Sequence, residues 1–112
     1  MDDERARALL EAERRRVEHL LAATRTDAAS DRAAAQEDGD IADSAEPLTA
    51  EGRDDAVVSS LEARLDAIGR AEERLRAGTY GRSVRSGLPI PDDRLEADPA
   101  AELTVEEAAA DG

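Results

Sequence analysis

The sequence has no cysteine, no phenylalanine, no tryptophan and a single tyrosine, Tyr80. The absence of cysteine removes disulfides, thiol catalysis and every thiolate metal site. The scarcity of aromatics, with apolar content carried mainly by alanine, removes the material for a thick globular interior. Lysine is missing too, so every basic residue is an arginine, in keeping with a GC-rich coding bias. No apolar run approaches membrane-spanning length, and the opening Met1-Asp2-Asp3-Glu4 is acidic where a targeting leader is basic, so a cytoplasmic protein is expected. Positive charge is in deficit: 28 acidic residues stand against 15 basic ones, a net charge of −13 over 112 residues. Such a chain repels phosphate backbones, which argues against direct DNA binding. No glycine-rich phosphate loop and no nucleophile paired with a base is present, so no enzyme is expected.

What is present is helical periodicity. Ala6, Leu10, Glu13, Val17, Leu20 or Leu21, and Thr24 recur at steps of four and three, a coiled-coil seam with one polar lapse. Beyond Thr24 the seam thins to Ala28, Ala34 and Ala35, where helical propensity must carry the helix until Gly39. A second seam runs through Leu48, Val58, Leu61, Leu65, Ile68 and Leu75, with Pro47 suited to a first helical position and Gly78 to the residue after the last. Two helices of roughly 30 residues, each about 45 Å long, fit an antiparallel hairpin. Glu11, Glu13, Glu18, Glu72 and Glu73 fall at helical spacing from arginines and read as an ion-paired, solvated surface. The lone His19 lies beside the seam and reads as an ordinary helix residue, and Arg14-Arg15-Arg16 as a solubilising cluster.

After Gly78 the texture becomes irregular: a short strand or turn at Tyr80 to Arg82, a turn at Ser86-Gly87, then Leu88-Pro89-Ile90-Pro91. Asp93 and Glu96 stand at capping-box spacing before a short helix, and Thr104-Val105-Glu106-Glu107 repeats that spacing before a last one, with Ala108 to Gly112 expected to fray. Leu88, Ile90, Leu95, Leu103 and Val105 are the expected apolar core of this lobe, packed on one another and near Leu9, Leu75 and Tyr80.

The run Tyr80-Gly81, Ser83, Ser86-Gly87, Ile90, Arg94-Leu95-Glu96-Ala97, Pro99, Thr104 and Glu107 resembles the zinc-finger lobe of the DksA/TraR family of RNA-polymerase-binding regulators. That family places two CxxC pairs where this chain has Ser83, Ser86, Thr104 and Glu107. Two serines, a threonine and one glutamate do not make a tetrahedral zinc site, so no structural zinc is expected and no cofactor is assigned. Thr104 and Glu107 can form a capping box, and Ser83 and Ser86 can bond turn backbone. A carboxylate metal site through Glu102, Glu106 and Glu107 is the remaining route for a metal. Asp40, Asp43 and Ala45 spell D-x-x-D-x-A, which DksA-like members carry at the end of their coiled coil, at the same interval from the first ligand position.

The resemblance implies a mainly α fold: a long antiparallel coiled-coil hairpin over 1–78 (helix about 3–36, tip about 37–46, helix about 47–77). A small irregular zinc-finger-like lobe without zinc and a short C-terminal helix would occupy 79–112. It also implies a non-enzymatic transcription regulator, expected as a monomer, that inserts the hairpin into the secondary channel of RNA polymerase. Asp40 and Asp43 would act near the active-site region, Ala45 would permit close approach, and ppGpp is an effector that such complexes often share. The alternative from another class is a coiled-coil interaction protein, self-associating or binding another partner, whose tip has no role.

Overall fold

The computed structural model describes the backbone of residues 1–38 and 47–111 and the side chains of residues 1–26 and 55–111. Four helices occur in order: α1 (Asp3–Asp38), α2 (Pro47–Ala77), α3 (Asp92–Ala97) and α4 (Val105–Asp111). Among the described residues the only β pairing is one antiparallel bridge, Arg82 with Pro89. None of the helices is long and apolar enough to cross a membrane.

The chain forms two compact units, one of residues 1–15 and 65–112, the other of residues 16–64. In the first, α1 contributes the buried Ala6 and Leu10, and α2 contributes the buried Ile68 and Ala71. The steps of four and three between these positions put each pair on one face of its helix. The helices run antiparallel: Leu10 of α1 lies by Leu75 of α2, and four residues later in α1 the Arg14 guanidinium pairs with Glu72, earlier in α2, at 2.6 and 3.2 Å. One member of the arginine cluster is thus committed to holding the helices together.

In the second unit Val17 is fully buried and Leu21 is 7% exposed, whereas Leu20 is 43% exposed, so Leu21 takes the seam position. Thr24 is half-buried, and its hydroxyl bonds back to the Leu20 carbonyl at 2.8 Å, which keeps a polar residue tolerable there. Arg25 reaches across to Glu62 at 3.0 Å. Val58 and Leu61 are half-buried and His19 is exposed. Ala28, Ala34, Ala35 and Leu48 lie outside the residues whose side chains are described.

α2 ends in a Schellman motif. The Gly78 N–H donates to the Leu75 carbonyl at 3.3 Å and the Thr79 N–H to the Arg74 carbonyl at 2.9 Å. Gly78 adopts φ +83°, a left-handed conformation that side chains disfavour, so glycine at this position turns the chain sharply out of the helix.

The lobe that follows has a small apolar centre of Ile90, Leu95 and Ala101, with Met1 and Tyr80 packed against it. Three expected core residues are not in it: Leu103 is half-buried, Leu88 is 58% exposed and Val105 52%, while Ala100 and Ala101 are buried. Small alanine side chains fit where the backbone after α3 packs closely, so Ala100 and Ala101 are buried there. The capping box expected from Asp93 and Glu96 does not form either. α3 begins one residue earlier, with Pro91 at the cap and no side-chain cap bond, and Arg5 of α1 takes the Glu96 carboxylate at 2.7 and 3.1 Å. A tertiary ion pair outcompetes a local cap here, because both carboxylate oxygens find a donor in one planar guanidinium.

Candidate functional site

Two sets of residues carry functional expectations. Asp40, Asp43 and Ala45 lie outside the described residues, so their place in the argument rests on the sequence motif. Ser83, Ser86, Thr104 and Glu107 are all described, and they come together.

Their assembly begins with a tight turn. The Ser83 N–H donates to the Leu88 carbonyl at 2.8 Å and the Gly87 N–H returns to the Ser83 carbonyl at 3.0 Å, with Gly87 at φ +75° completing the reversal. Inside this turn the buried Ser83 hydroxyl oxygen accepts the Arg85 and Ser86 N–H groups at 3.1 and 3.2 Å. The Ser86 hydroxyl accepts the Leu88 N–H at 3.3 Å.

α4 presents the other half. The Thr104 hydroxyl accepts the Glu107 N–H at 3.2 Å, and the Glu107 carboxylate accepts the Thr104 N–H at 3.0 Å. This is a reciprocal capping box, and it satisfies donors that a helix start otherwise leaves open. The nearby Ser83 hydroxyl, the Thr104 N–H and the nearby Ser86 hydroxyl favour the ionised form and bring the Glu107 carboxyl down to about 2. The four positions that would carry zinc ligands in the resembling lobe thus form two hydrogen-bonded pairs, Ser83 with Ser86 and Thr104 with Glu107.

These residues do not fit zinc. Three of the four offer neutral hydroxyls, and the one anionic donor already accepts the Thr104 N–H. Among the described residues no group of three or more His, Cys, Asp or Glu is arranged to hold a metal ion. Glu102 cannot join Glu106 and Glu107 in a carboxylate site, because its carboxylate is bound by Arg70 at 3.0 and 3.1 Å and by Arg74 at 3.3 Å.

Sequence reasoning missed that role for Glu102. Its side chain ties to α2, the Arg70 hydrogen bond holding its carboxyl below the usual range, while its own carbonyl accepts the Val84 N–H at 2.9 Å. One residue thereby connects the serine turn to the base of α2. Arg94 adds a parallel tie, its Nε donating to the Leu103 carbonyl at 2.9 Å. Arg85 donates to both oxygens of Asp111 at 3.0 and 2.6 Å, so α4 continues to Asp111 where fraying was expected. Tyr80 closes the arrangement. Its hydroxyl donates to the Pro99 carbonyl at 2.8 Å, and burial pushes its pKa up to about 12. No local pattern marks Glu102; only its position before the capping box hints that it stays near the turn.

No protein-family profile matches the chain. A stretch of 42 residues, 38% of this chain, is 45% identical to the general stress protein 16O of Bacillus subtilis (strain 168) and spans 26% of that protein. Among solved structures, the transcription factor DksA2 from Pseudomonas aeruginosa superposes with a TM-score of 0.69 over 97% of this chain and 81% of that one, at 23% identity. The fold is therefore DksA-like, mainly helical, in a chain that contains no zinc-ligand cysteines.

Proposed function

We propose that this chain is a non-enzymatic transcription regulator that binds RNA polymerase and acts through Asp40 and Asp43. The observation that carries the reading is the DksA-like fold over nearly the whole chain, in a sequence whose D-x-x-D-x-A motif falls between its two long helices. The physical logic is electrostatic. A net charge of −13 turns the protein away from DNA, while an acidic segment can perturb a polymerase site built around Mg²⁺ and cationic side chains. In this reading the acidic segment enters the secondary channel, Ala45 allows close approach, and the stability of promoter complexes changes. An alarmone such as ppGpp would act on the complex, and the regulator itself would be a monomer.

The test pairs two measurements on wild type and on Asp40→Asn/Asp43→Asn: affinity for core RNA polymerase of the host, and open-complex lifetime. Wild type binds and changes the lifetime; the double variant binds with similar affinity and leaves the lifetime as it is without the protein. A wild type that does not bind polymerase ends this reading and leaves a coiled-coil interaction protein.

A further inference from the structure

We propose that the lobe of residues 79–112 is ordered by an electrostatic latch to the bases of α1 and α2, with the acidic members of the latch on the lobe and the basic members on the helices. Releasing the latch disorders the lobe and leaves the helices folded. The inference stands apart from the polymerase reading, since it concerns how a lobe without thiolate ligands is held.

The argument starts from size. The lobe is shorter than the roughly 40 residues below which a chain usually needs a disulfide, a metal or a partner surface to fold. Its apolar centre is only Ile90, Leu95 and Ala101, and cysteine is absent. The missing staple must come from outside the lobe, and the compact unit that contains the lobe also contains residues 1–15 and 65–78.

The contacts between the two parts are one-sided in charge. Arg5, in the first turn of α1, grips both carboxylate oxygens of Glu96 in α3 at 3.1 and 2.7 Å. Arg70 and Arg74, one turn apart on α2, converge on Glu102 at 3.0, 3.1 and 3.3 Å. The Met1 amine meets Asp92 at 3.1 Å, and the Met1 side chain packs on the lobe's apolar centre. The arginines of the lobe bind within it instead: Arg82 donates to the Gly87 carbonyl, Arg94 to the Leu103 carbonyl and Arg85 to Asp111. The lobe thus satisfies its own cations and turns carboxylates toward the helices. Partners lie 28 to 91 residues apart, so none of these pairs exists until lobe and helices meet. Two of the ties are bidentate, a geometry that fixes position as well as attraction.

The experiment is a charge-reversal cycle on the full chain, Arg5→Glu, Glu96→Arg and the double variant, followed by residue-resolved amide hydrogen exchange. The reporters are the Ile90 N–H, bonded to the Gly81 carbonyl, and the Ser83 N–H, bonded to the Leu88 carbonyl, both at 2.8 Å and neither made by a changed residue. Each single reversal is expected to accelerate exchange at both by about fivefold or more, while Val17 and Ile68 in the helices keep their protection. The double variant restores an attractive pair and returns both reporters to within about twofold of wild type. If a single reversal disorders the lobe outright, the double variant still decides, because only a latch recovers when the two charges are exchanged. Unchanged reporters in both single variants overturn the proposal, as does a double variant no better protected than the singles. Acceleration of Val17 and Ile68 in step with the reporters overturns it too, since lobe and helices then unfold together.

Discussion

In the helical part of the molecule the buried positions recur with helical spacing, Ala6 with Leu10 and Ile68 with Ala71, and the polar contacts sit at the margins of that seam. In the lobe the apolar centre shrinks to Ile90, Leu95 and Ala101, and backbone amides are held by the side-chain oxygens of Ser83, Ser86, Thr104 and Glu107, with the Glu102 carboxylate tied to arginine side chains. The helices would survive many substitutions, because a seam of small and branched apolar residues is degenerate in detail. The lobe would not, because each hydrogen bond needs its own donor and acceptor at a fixed distance. The same acidic, alanine-rich composition thus supports two kinds of order, one set by periodicity and the other by individual partners.

The largest test of this contrast compares two buried side chains. Ile68→Ala and Leu95→Ala each remove a fully or almost fully buried aliphatic group, expected to cost about 2–5 kcal/mol apiece. Ile68→Ala should lower the denaturant midpoint followed by far-ultraviolet circular dichroism, whereas Leu95→Ala should release lobe amides to exchange and leave most of the helical signal. If Leu95→Ala melts the helices too, lobe and helix base are one cooperative unit, and the contrast fails.

Glu102→Ala comes next. Arg74 is only 15% exposed and would lose its carboxylate partner while staying buried, and one of its nitrogens is already without a hydrogen bond. A loss of about 1–3 kcal/mol in denaturant unfolding is expected, with faster exchange at Val84, whose N–H bonds the same residue's carbonyl. Thr104→Ala should cost about 1 kcal/mol by removing a helix cap, seen as earlier loss of α4 protection.

Acid gives a graded version of the same test. Glu107 has its carboxyl lowered to about 2 from an ordinary 4.5, so its contribution is complete above about 4.5 and disappears as pH falls through 2. Exchange at the Thr104 amide, which bonds the Glu107 carboxylate at 3.0 Å, should therefore speed up across that interval once corrected for intrinsic rates, and Glu107→Gln should abolish the dependence. The smallest effect belongs to the helices: Arg25 and Glu62 are 55% and 52% exposed, and Arg25→Ala should shift stability by no more than about 0.5 kcal/mol. A larger shift would show that individual ion pairs matter in the helices as well.

The helices were legible because their signals are local and repeated. Glycine after α2, proline at its start and Leu or Ala every three or four residues each point to the same element. The Thr104 and Glu107 capping box was legible for a similar reason, since its two partners are separated by a single helical turn. The box expected at Asp93 and Glu96 had the same spacing and did not form, because Arg5, remote in sequence, competes for Glu96. Leu88 and Val105 were expected inside and lie outside, since nothing local reports that alanines at 100 and 101 take the space.

By itself, then, the sequence determined the two long helices, the end of α2 at Gly78, the absence of thiolate ligands and the acid-rich motif at Asp40 and Asp43. These depend on residue type and short spacing, which the chain carries before it folds. Only the tertiary structure decided that Leu21 and not Leu20 is buried, that Glu102 grips Arg70 and Arg74, and that the buried Ser83 hydroxyl accepts the Arg85 and Ser86 N–H groups. Those outcomes depend on which of many identical arginines, glutamates and hydroxyls come within hydrogen-bond reach once the backbone has turned, and linear spacing does not encode that choice.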